Sequence, residues 1–409
     1  MMPRTAADVY VNDLTYILVR DRFRSWVTAV VTYLDVAATT RVDTRVSDVV
    51  LHWMTEEFGN AGSRTHEYGT RAKKGVHEAR AFIAATVGAK TEEVIFTSGA
   101  TESNNIALLG LAAHAEATGR RHIITSAIEH KAVIEPLMHL QSKGFEVDFL
   151  QPGSSGRITK EAVLDRLRDD TALVSLMHVN NETGVIQPVA ELAHELRATK
   201  TFLHVDAAQG YGKVPDDLKA PIDLISISGH KIGAPKGVGA LVTRRRGWDK
   251  IPLEPIMFGG GQERKLRPGT LPVPLIMGLY EAAKVFREGH DRWAREAQAM
   301  RTRLLDALAA HTRFQINGDS QHAVPHILNV TFDGLNAEAL IVRLKDQVAI
   351  ATGSACTSAS YTPSHVLTAM GLPEQVATNG LRFSWLPSQV EHFDPDSLAK
   401  TIAHIQPAE

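Results

Sequence analysis

Between residues 90 and 243, short and almost uninterrupted apolar runs recur at regular intervals: EVIFTSG, HIITSA, FEVDFL, ALVSLMHVN, TFLHVDA, DLISISG and VGALVT. Each is strand-length and lacks the polar alternation of a half-exposed strand, so each predicts a strand buried on both faces. Helical patterns separate most of them, at Ser103–Glu116, Lys160–Arg168 and Val189–Thr199. Alternation of this kind means an α/β chain with a mostly parallel sheet, and right-handed crossovers sandwich that sheet between helices. Upstream, Asp43 is placed to cap a helix carrying Val46, Val49, Val50, Trp53 and Phe58, which Gly59 would end. The Gly/Pro-rich stretch Phe258–Pro274 breaks the rhythm. A smaller α+β pattern follows: a long charged helix from Leu275 to about His311, a strand at His326–Phe332 and a helix at Ala337–Lys345. Thr362 and Pro363 then offer a cap and first-turn proline for a helix that Gly371 closes.

The 409 residues are 44% apolar and 22% charged, with a formal net charge of -2. That balance gives no electrostatic footprint for direct nucleic-acid binding. The Arg244–Arg246 triplet reads as a solvated loop rather than a phosphate track. No run approaches 18 uncharged apolar residues, so no membrane association is expected. The uncharged run Ser25–Leu34 lacks a small-residue cleavage site and is not read as a signal peptide.

Cys356 is the only cysteine, which rules out an intrachain disulfide, a CxxC pair or a cysteine-rich zinc site and suits a reducing cytoplasm. A lone cysteine is most often a small buried hydrophobe. Here, however, its surroundings read ATGSACTSAS from Ala351 to Ser360, with no bulky group to offset the entropy of ordering. A surface loop bearing an accessible thiol is expected, suited to a nucleophile or a sulfur carrier.

Most of the apolar runs end in polar clusters, and in an open α/β sheet the carboxyl ends of the strands converge on the ligand crevice. In TSGATESNN (Thr97–Asn105), Gly99 permits a turn, and the N–H groups of Ala100 and Thr101 at a helix start favour an anion, with plain capping as the alternative. In HVDAAQ, Asp206 ends a strand where a carboxylate needs a cation or a protonated ring nitrogen, and Gln209 can reach the same ligand. In ISISGHK, Lys231 is either a snorkelling surface residue or a partly buried amine that attacks a carbonyl, and Ser228 and His230 beside it can add phosphate contacts. His130, in SAIEHKAV, can stack on a flat ring or serve as a core histidine. A phosphate cradle, an acid for a pyridinium nitrogen and a carbonyl-binding lysine are together the parts that pyridoxal 5'-phosphate requires.

From Tyr33 to about Ser384 the chain resembles the cysteine desulfurases of the class V aminotransferase group, which are fold-type-I pyridoxal-phosphate enzymes. The resemblance is carried by YLDVAATT, FGN, TSGATESNN, EHKAV, HVNNETG, HVDAAQ, SGHK, GGGQE, RPGT, GSACTS and LRFS, in that order. The GSACTS stretch is similar to the group with a long catalytic loop. The resemblance implies a large cofactor domain at 45–290 and a small domain made of 33–44 and 291–409. Residues 1–32 form an N-terminal extension with no assigned role.

It also implies roles. Lys231 would hold the cofactor through its aldehyde, Asp206 would face the ring nitrogen and Gln209 the phenolic oxygen, while His130 would stack on the ring and move protons. Thr101, Ser228 and His230 would bind phosphate, joined by Thr270 from the second subunit of a homodimer. Asn181 and Arg382, helped by Asn60, would hold the carboxylate of L-cysteine, and a guanidinium fork suits that task. Cys356 would take the sulfur, become a persulfide and pass it to an acceptor protein, leaving L-alanine.

Pro268, Ala61 and Ala234 depart from the group's usual residues, though none carries a chemical role. Fewer than 30 residues follow Arg382, so recognition of scaffold proteins through a long tail is not expected. Iron–sulfur assembly, tRNA thiolation and DNA phosphorothioation all draw on this reaction, and the chain resembles the desulfurase of the last. The rival readings are a selenocysteine lyase or aminotransferase in which Cys356 is a bystander, and a scaffold that merely keeps the fold.

Overall fold

The computed structural model describes residues 31–353 and 363–407. The segment that contains Cys356 and nearly all of the N-terminal extension lie outside them. Strand β1 (Thr32–Tyr33) opens the described chain. Seven strands then build the main sheet: β2 (Val94–Thr97), β3 (His122–Ser126), β4 (Glu146–Leu150), β5 (Thr171–Met177), β6 (Phe202–Asp206), β7 (Leu224–Ser228) and β8 (Gly239–Thr243). Their order across the sheet is β2-β8-β7-β6-β5-β3-β4. β3 pairs in parallel with β4 and β5, and β6 with β5 and β7, whereas β8 runs antiparallel to both of its neighbours. The mostly parallel α/β sheet expected from the apolar runs is therefore present, with one reversed strand inside it.

Burial on both faces follows from the period of two along each strand. Val94 and Phe96 enter one core with Val205, Ile225 and Ile227, while Ile95 enters the opposite core with Leu173, Leu224 and Leu241. The exception is β4, whose first residue is exposed and whose last three are only half-buried. It lies at the sheet edge, which its apolar sequence did not reveal.

A second sheet, β12-β13-β10-β9, comprises β9 (Phe314–Ile316), β10 (Ile327–Phe332), β12 (Ala351–Thr352) and β13 (Leu381–Ser384), and β1 pairs with β11 (Val348–Ala349). Leu34, Phe383 and Trp385 share its core. The 39-residue helix Val273–His311 serves both cores. Ile276, Leu279 and Ala282 pack on the main sheet's core, and Met300, Leu304 and Leu308 on the other.

Several element ends differ from expectation. Asp43 caps its helix as expected, accepting from the Arg45 N–H, but that helix stops at Thr55 rather than at Gly59. The helix expected at Ser103–Glu116 begins at Ala100 and is interrupted at Leu111. Ser364, not Thr362, caps the helix His365–Ala369, because its hydroxyl accepts from the Leu367 N–H. The Arg244–Arg246 triplet is not a solvated loop. Arg244 donates to the carbonyls of Val87 and Ala220, and Arg246 forms a two-pronged pair with Asp223. Arg244 thus satisfies carbonyls left unpaired at two helix ends, and Arg246 pairs with a buried carboxylate just ahead of β7. Among the described residues, no helix is long and apolar enough to cross a membrane.

Candidate active site

A cavity of about 430 Å³ lies at the carboxyl ends of β2, β3, β5, β6 and β7. Its floor is set by β6, which ends on Asp206, 5% exposed. Asn104 Nδ2 donates to Asp206 Oδ2 at 2.7 Å, and the Ala208 N–H donates to Oδ1 at 2.9 Å. Neither neighbour is a cation, so the carboxylate keeps its affinity for a protonated ring nitrogen set above it.

The wall beside β2 is the start of the helix Ala100–Gly110, where Gly99 (φ 152°) makes no side-chain cap. The first N–H groups of that helix are left to the cavity that Ala100 and Thr101 line. The turn needs close packing: a Cβ on Gly239 would lie 2.6 Å from Gly99 Cα and 2.3 Å from the Ile227 carbonyl oxygen. Ser228 and His230 line the same side. Burial, and then the nearby Lys231, push the His230 imidazole down to about 4, so it is neutral at pH 7. Its Nδ1 lies 3.1 Å from Thr39 Oγ1.

Lys231 follows β7 on a short 3-10 turn, Gly229–Lys231. Its Nζ donates to the carbonyls of Ala37 (2.5 Å) and Ala38 (2.6 Å), which brings the YLDVAATT segment against the SGHK cluster. Gln209 Nε2 also donates to the Ala37 carbonyl (2.8 Å), and its buried Oε1 has no partner.

Two histidines face the cavity with opposite proton placement. His130 caps the helix Lys131–Ser142, its Nδ1 accepting from the Ala132 N–H at 3.1 Å. The neutral ring therefore carries its proton on Nε2. Burial lowers its pKa below the usual histidine value, against the pull of Asp206. His365 donates from Nε2 to the Glu129 carbonyl at 2.9 Å, which leaves its Nδ1 as an acceptor. One ring thus offers a donor and the other a lone pair. Glu129 itself is completely buried and pushed up to about 8 by that burial, so it is a neutral acid at pH 7.

Opposite the floor, Arg382 is buried in β13, where Nη2 pairs with Asp35 Oδ1 at 2.7 Å and Nη1 donates to the Asn181 carbonyl at 3.0 Å. Its Nε is buried without a partner. A substrate carboxylate would therefore share this guanidinium with Asp35.

Of the residues singled out from the sequence, Ala100, Thr101, His130, Asn181, Asp206, Gln209, Ser228, His230, Lys231 and Arg382 all line this one cavity. Asn60 and Thr270 are exposed and are not among the lining residues of the protomer, and Asn60 Oδ1 accepts from the Gly62 N–H. Cys356 lies outside the described residues. Sequence reasoning missed Asp35, Asn104, Glu129, Glu182 and His365. Asn104 was within reach, since it stands four residues after Ala100 on the same helix face.

The residues present fit pyridoxal phosphate. The cavity combines an open helix start, a buried carboxylate without a cation, an amine at a strand end and the orphaned amide oxygen of Gln209. Its volume also suits a cofactor with a small substrate.

Comparison with known proteins gives a consistent picture. The family model described as Aminotransferase class-V matches residues 32–391. Cysteine desulfurase IscS of Vibrio vulnificus is 47% identical over 356 residues, covering 86% of this chain and 87% of that protein. Among solved structures, DndA from Streptomyces lividans is 71% identical with a TM-score of 0.77, over 87% of this chain and 99% of the other. The structure of SspA in complex with cysteine is 37% identical with a TM-score of 0.76, over 87% and 99% of the two chains.

Proposed function

Because this chain belongs to the class-V aminotransferase family, and within it to the cysteine desulfurases, we propose that it binds pyridoxal 5'-phosphate through Lys231 and delivers the sulfur of L-cysteine to Cys356. The observation that carries this reading is the convergence of Asp206, Lys231, His130 and the open helix start at Ala100 on one cavity. The reaction balances as L-cysteine plus the Cys356 thiol giving L-alanine plus a Cys356 persulfide. The substrate C–S bond breaks, an S–S bond forms, the transferred sulfur is oxidised and the carbon is reduced. When bound, pyridoxal phosphate supplies an electron sink that weakens the C–S bond.

The chain's own groups do the rest. Asp206 keeps a ring nitrogen protonated, with Asn104 holding the carboxylate in place, while Gln209 reaches the phenolic oxygen. Thr101, Ser228, His230 and the N–H groups of Ala100 and Thr101 take the phosphate. His130 stacks on the ring and, neutral with its proton on Nε2, donates there. Lys231 moves protons at the substrate carbon once its amine is released. Asn181 and Arg382 receive the substrate carboxylate. A thiol of ordinary pKa, about 8.5, is only a few per cent thiolate near neutrality, so Cys356 needs a neighbouring base when it attacks.

Incubation of the purified protein with L-cysteine and a reductant, without any keto acid, should release alanine and sulfide in equal amounts. An absolute requirement for a keto acid would make it an aminotransferase and end this reading.

We also propose a homodimer in which Thr270, and Asn60 with it, complete the site of the partner subunit. Both are exposed and lie off the protomer's own cavity. Exposed apolar groups flank both in the chain: Phe58, 64% exposed, stands two residues before Asn60, and Phe258, 85% exposed, twelve before Thr270, with Leu51, Met54 and Tyr68 exposed as well. Patches of this kind mark association surfaces, and symmetric pairing is the common arrangement for soluble oligomers. Phe58→Asp should yield monomers by sedimentation and lower turnover at least about tenfold, since a charge in an apolar contact costs several kcal/mol. A fully active monomer would count against shared sites.

The domain division at 45–290 against 33–44 with 291–409 is part of the same reading, with each part built on its own core. We propose a cytoplasmic location, since Cys356 must be reduced at the start of each turnover. An acceptor protein would take the sulfur onward into DNA phosphorothioation, the route the sequence resemblance implies. The 71% identity to DndA supports that route.

A further inference from the structure

Glu182 is 1% exposed, has no part in the chemistry assigned above, and touches both ends of the segment that carries Cys356. On the far side, Ser364 Oγ donates to Glu182 Oε2 at 2.5 Å, and Ser364 is itself 4% exposed. The same hydroxyl accepts from the Leu367 N–H at 3.1 Å, so it joins the carboxylate to a helix start. On the near side, Gly353 lies so close that a Cβ there would come within 1.8 Å of Glu182 Oε2 and 2.4 Å of Cδ. The two roots of residues 354–363 are thus gathered on one carboxylate.

Glu182 is held rigidly in turn. Asn180 Oδ1 accepts from the N–H groups of Glu182 and Thr183, both at 2.9 Å, and Asn180 Nδ2 donates to the Ile128 carbonyl at 3.1 Å. Between these residues stands Asn181, whose carbonyl accepts from Arg382 Nη1. One turn therefore presents the substrate-carboxylate groups on one side and the anchor of the thiol-bearing segment on the other.

We propose that Glu182 is a positioning residue for sulfur transfer: by clamping Gly353 and Ser364 together it sets where the segment bearing Cys356 leaves and rejoins the wall of the substrate pocket. This rests on the reading of Cys356 as sulfur acceptor. Transfer between two sulfur atoms demands close approach, and a misplacement of about 1 Å can cost on the order of 100-fold in rate. Separating the two roots would shift the attachment points of that segment while leaving Lys231, Asp206, Asn181 and Arg382 to hold cofactor and substrate.

The test measures three quantities on holoenzyme: the cysteine-induced change in visible spectrum, the rate of persulfide formation on Cys356 in a single turnover, and the cysteine concentration for half-saturation. Because Cys356 is the only thiol, its alkylation rate can also be read on cofactor-free protein. Glu182→Ala and Gly353→Ala should each slow persulfide formation by about 10- to 100-fold, with half-saturation and spectral change preserved. Glu182→Ala should also speed alkylation of Cys356. Glu182→Gln keeps an acceptor for the Ser364 hydroxyl and should recover the rate to within a few-fold of wild type. Persulfide rates equal to wild type in Glu182→Ala and Gly353→Ala, or a parallel loss of cysteine binding and persulfide formation, would overturn the clamp. A wild-type enzyme that desulfurates cysteine with no persulfide on Cys356 would instead overturn the reading beneath it. If Glu182→Ala does not fold, the single added methyl of Gly353→Ala decides the matter, since it presses on the same carboxylate.

Discussion

Lys231→Ala should abolish the visible absorbance of the cofactor-loaded protein and lower desulfuration by on the order of 10⁴-fold or more, since it removes both the covalent anchor and a proton carrier. The expectation rests on where the amine stands. Its Nζ is held by the carbonyls of Ala37 and Ala38, at the strand end beside Ser228 and His230. Lys131 and Lys236 also border the cavity. Retained absorbance in the alanine variant would mean that one of these amines anchors the ring, and the assignment to Lys231 would fall. Lys213 is a weaker substitute: burial pushes its amine down to about 7, but it does not line the cavity.

Cys356→Ser separates the cofactor's chemistry from sulfur acceptance. The variant should stay yellow, and L-cysteine should still change its spectrum, because the substitution leaves Lys231, Asp206, His130 and the other residues lining the cavity unchanged. Persulfide should be absent and catalytic sulfide release should fall by on the order of 10³-fold or more, since a serine hydroxyl at neutral pH is a far poorer nucleophile than a thiol. The chain has no other cysteine, so nothing internal can stand in for it. Sulfide turnover at the wild-type rate would make Cys356 a bystander and favour a lyase in which the sulfur leaves unaided.

The groups that were legible in the sequence share a geometric cause. Asp206, Lys231 and the Gly99 turn each follow an apolar strand directly, and a parallel sheet gathers such strand ends at one edge. His130 was legible for the same reason, four residues past the end of β3. Glu182 and His365 were not, and Asn104 was legible only as a neighbour of Ala100 on one helix face, because what gives each of them a role is a partner far along the chain. Asn104 meets Asp206 across 102 positions, Glu182 meets Ser364 across 182, and His365 meets Glu129 across 236. Local pattern carries no record of such pairings.

The errors at element ends have a related origin. Gly59 looked like a helix terminus, yet a Cβ there would lie 2.2 Å from the Tyr68 carbonyl oxygen. It is required by a close backbone approach rather than by the end of a helix. Thr362 and Ser364 are equally good capping residues by type, and only the path of the chain into His365–Ala369 selects the second. The arginine triplet was misread because Arg244 meets helix-end carbonyls and Arg246 meets the Asp223 carboxylate, partners that the local run of arginines does not reveal.

The helix Val273–His311 contributes to both cores without a break. At 1.5 Å per residue its 39 residues form a rod of about 58 Å. Neither core can pivot on the other unless the rod bends or its hydrogen bonds give way. Hinge closure of the kind that brings two lobes over a substrate is therefore a costly motion for this architecture.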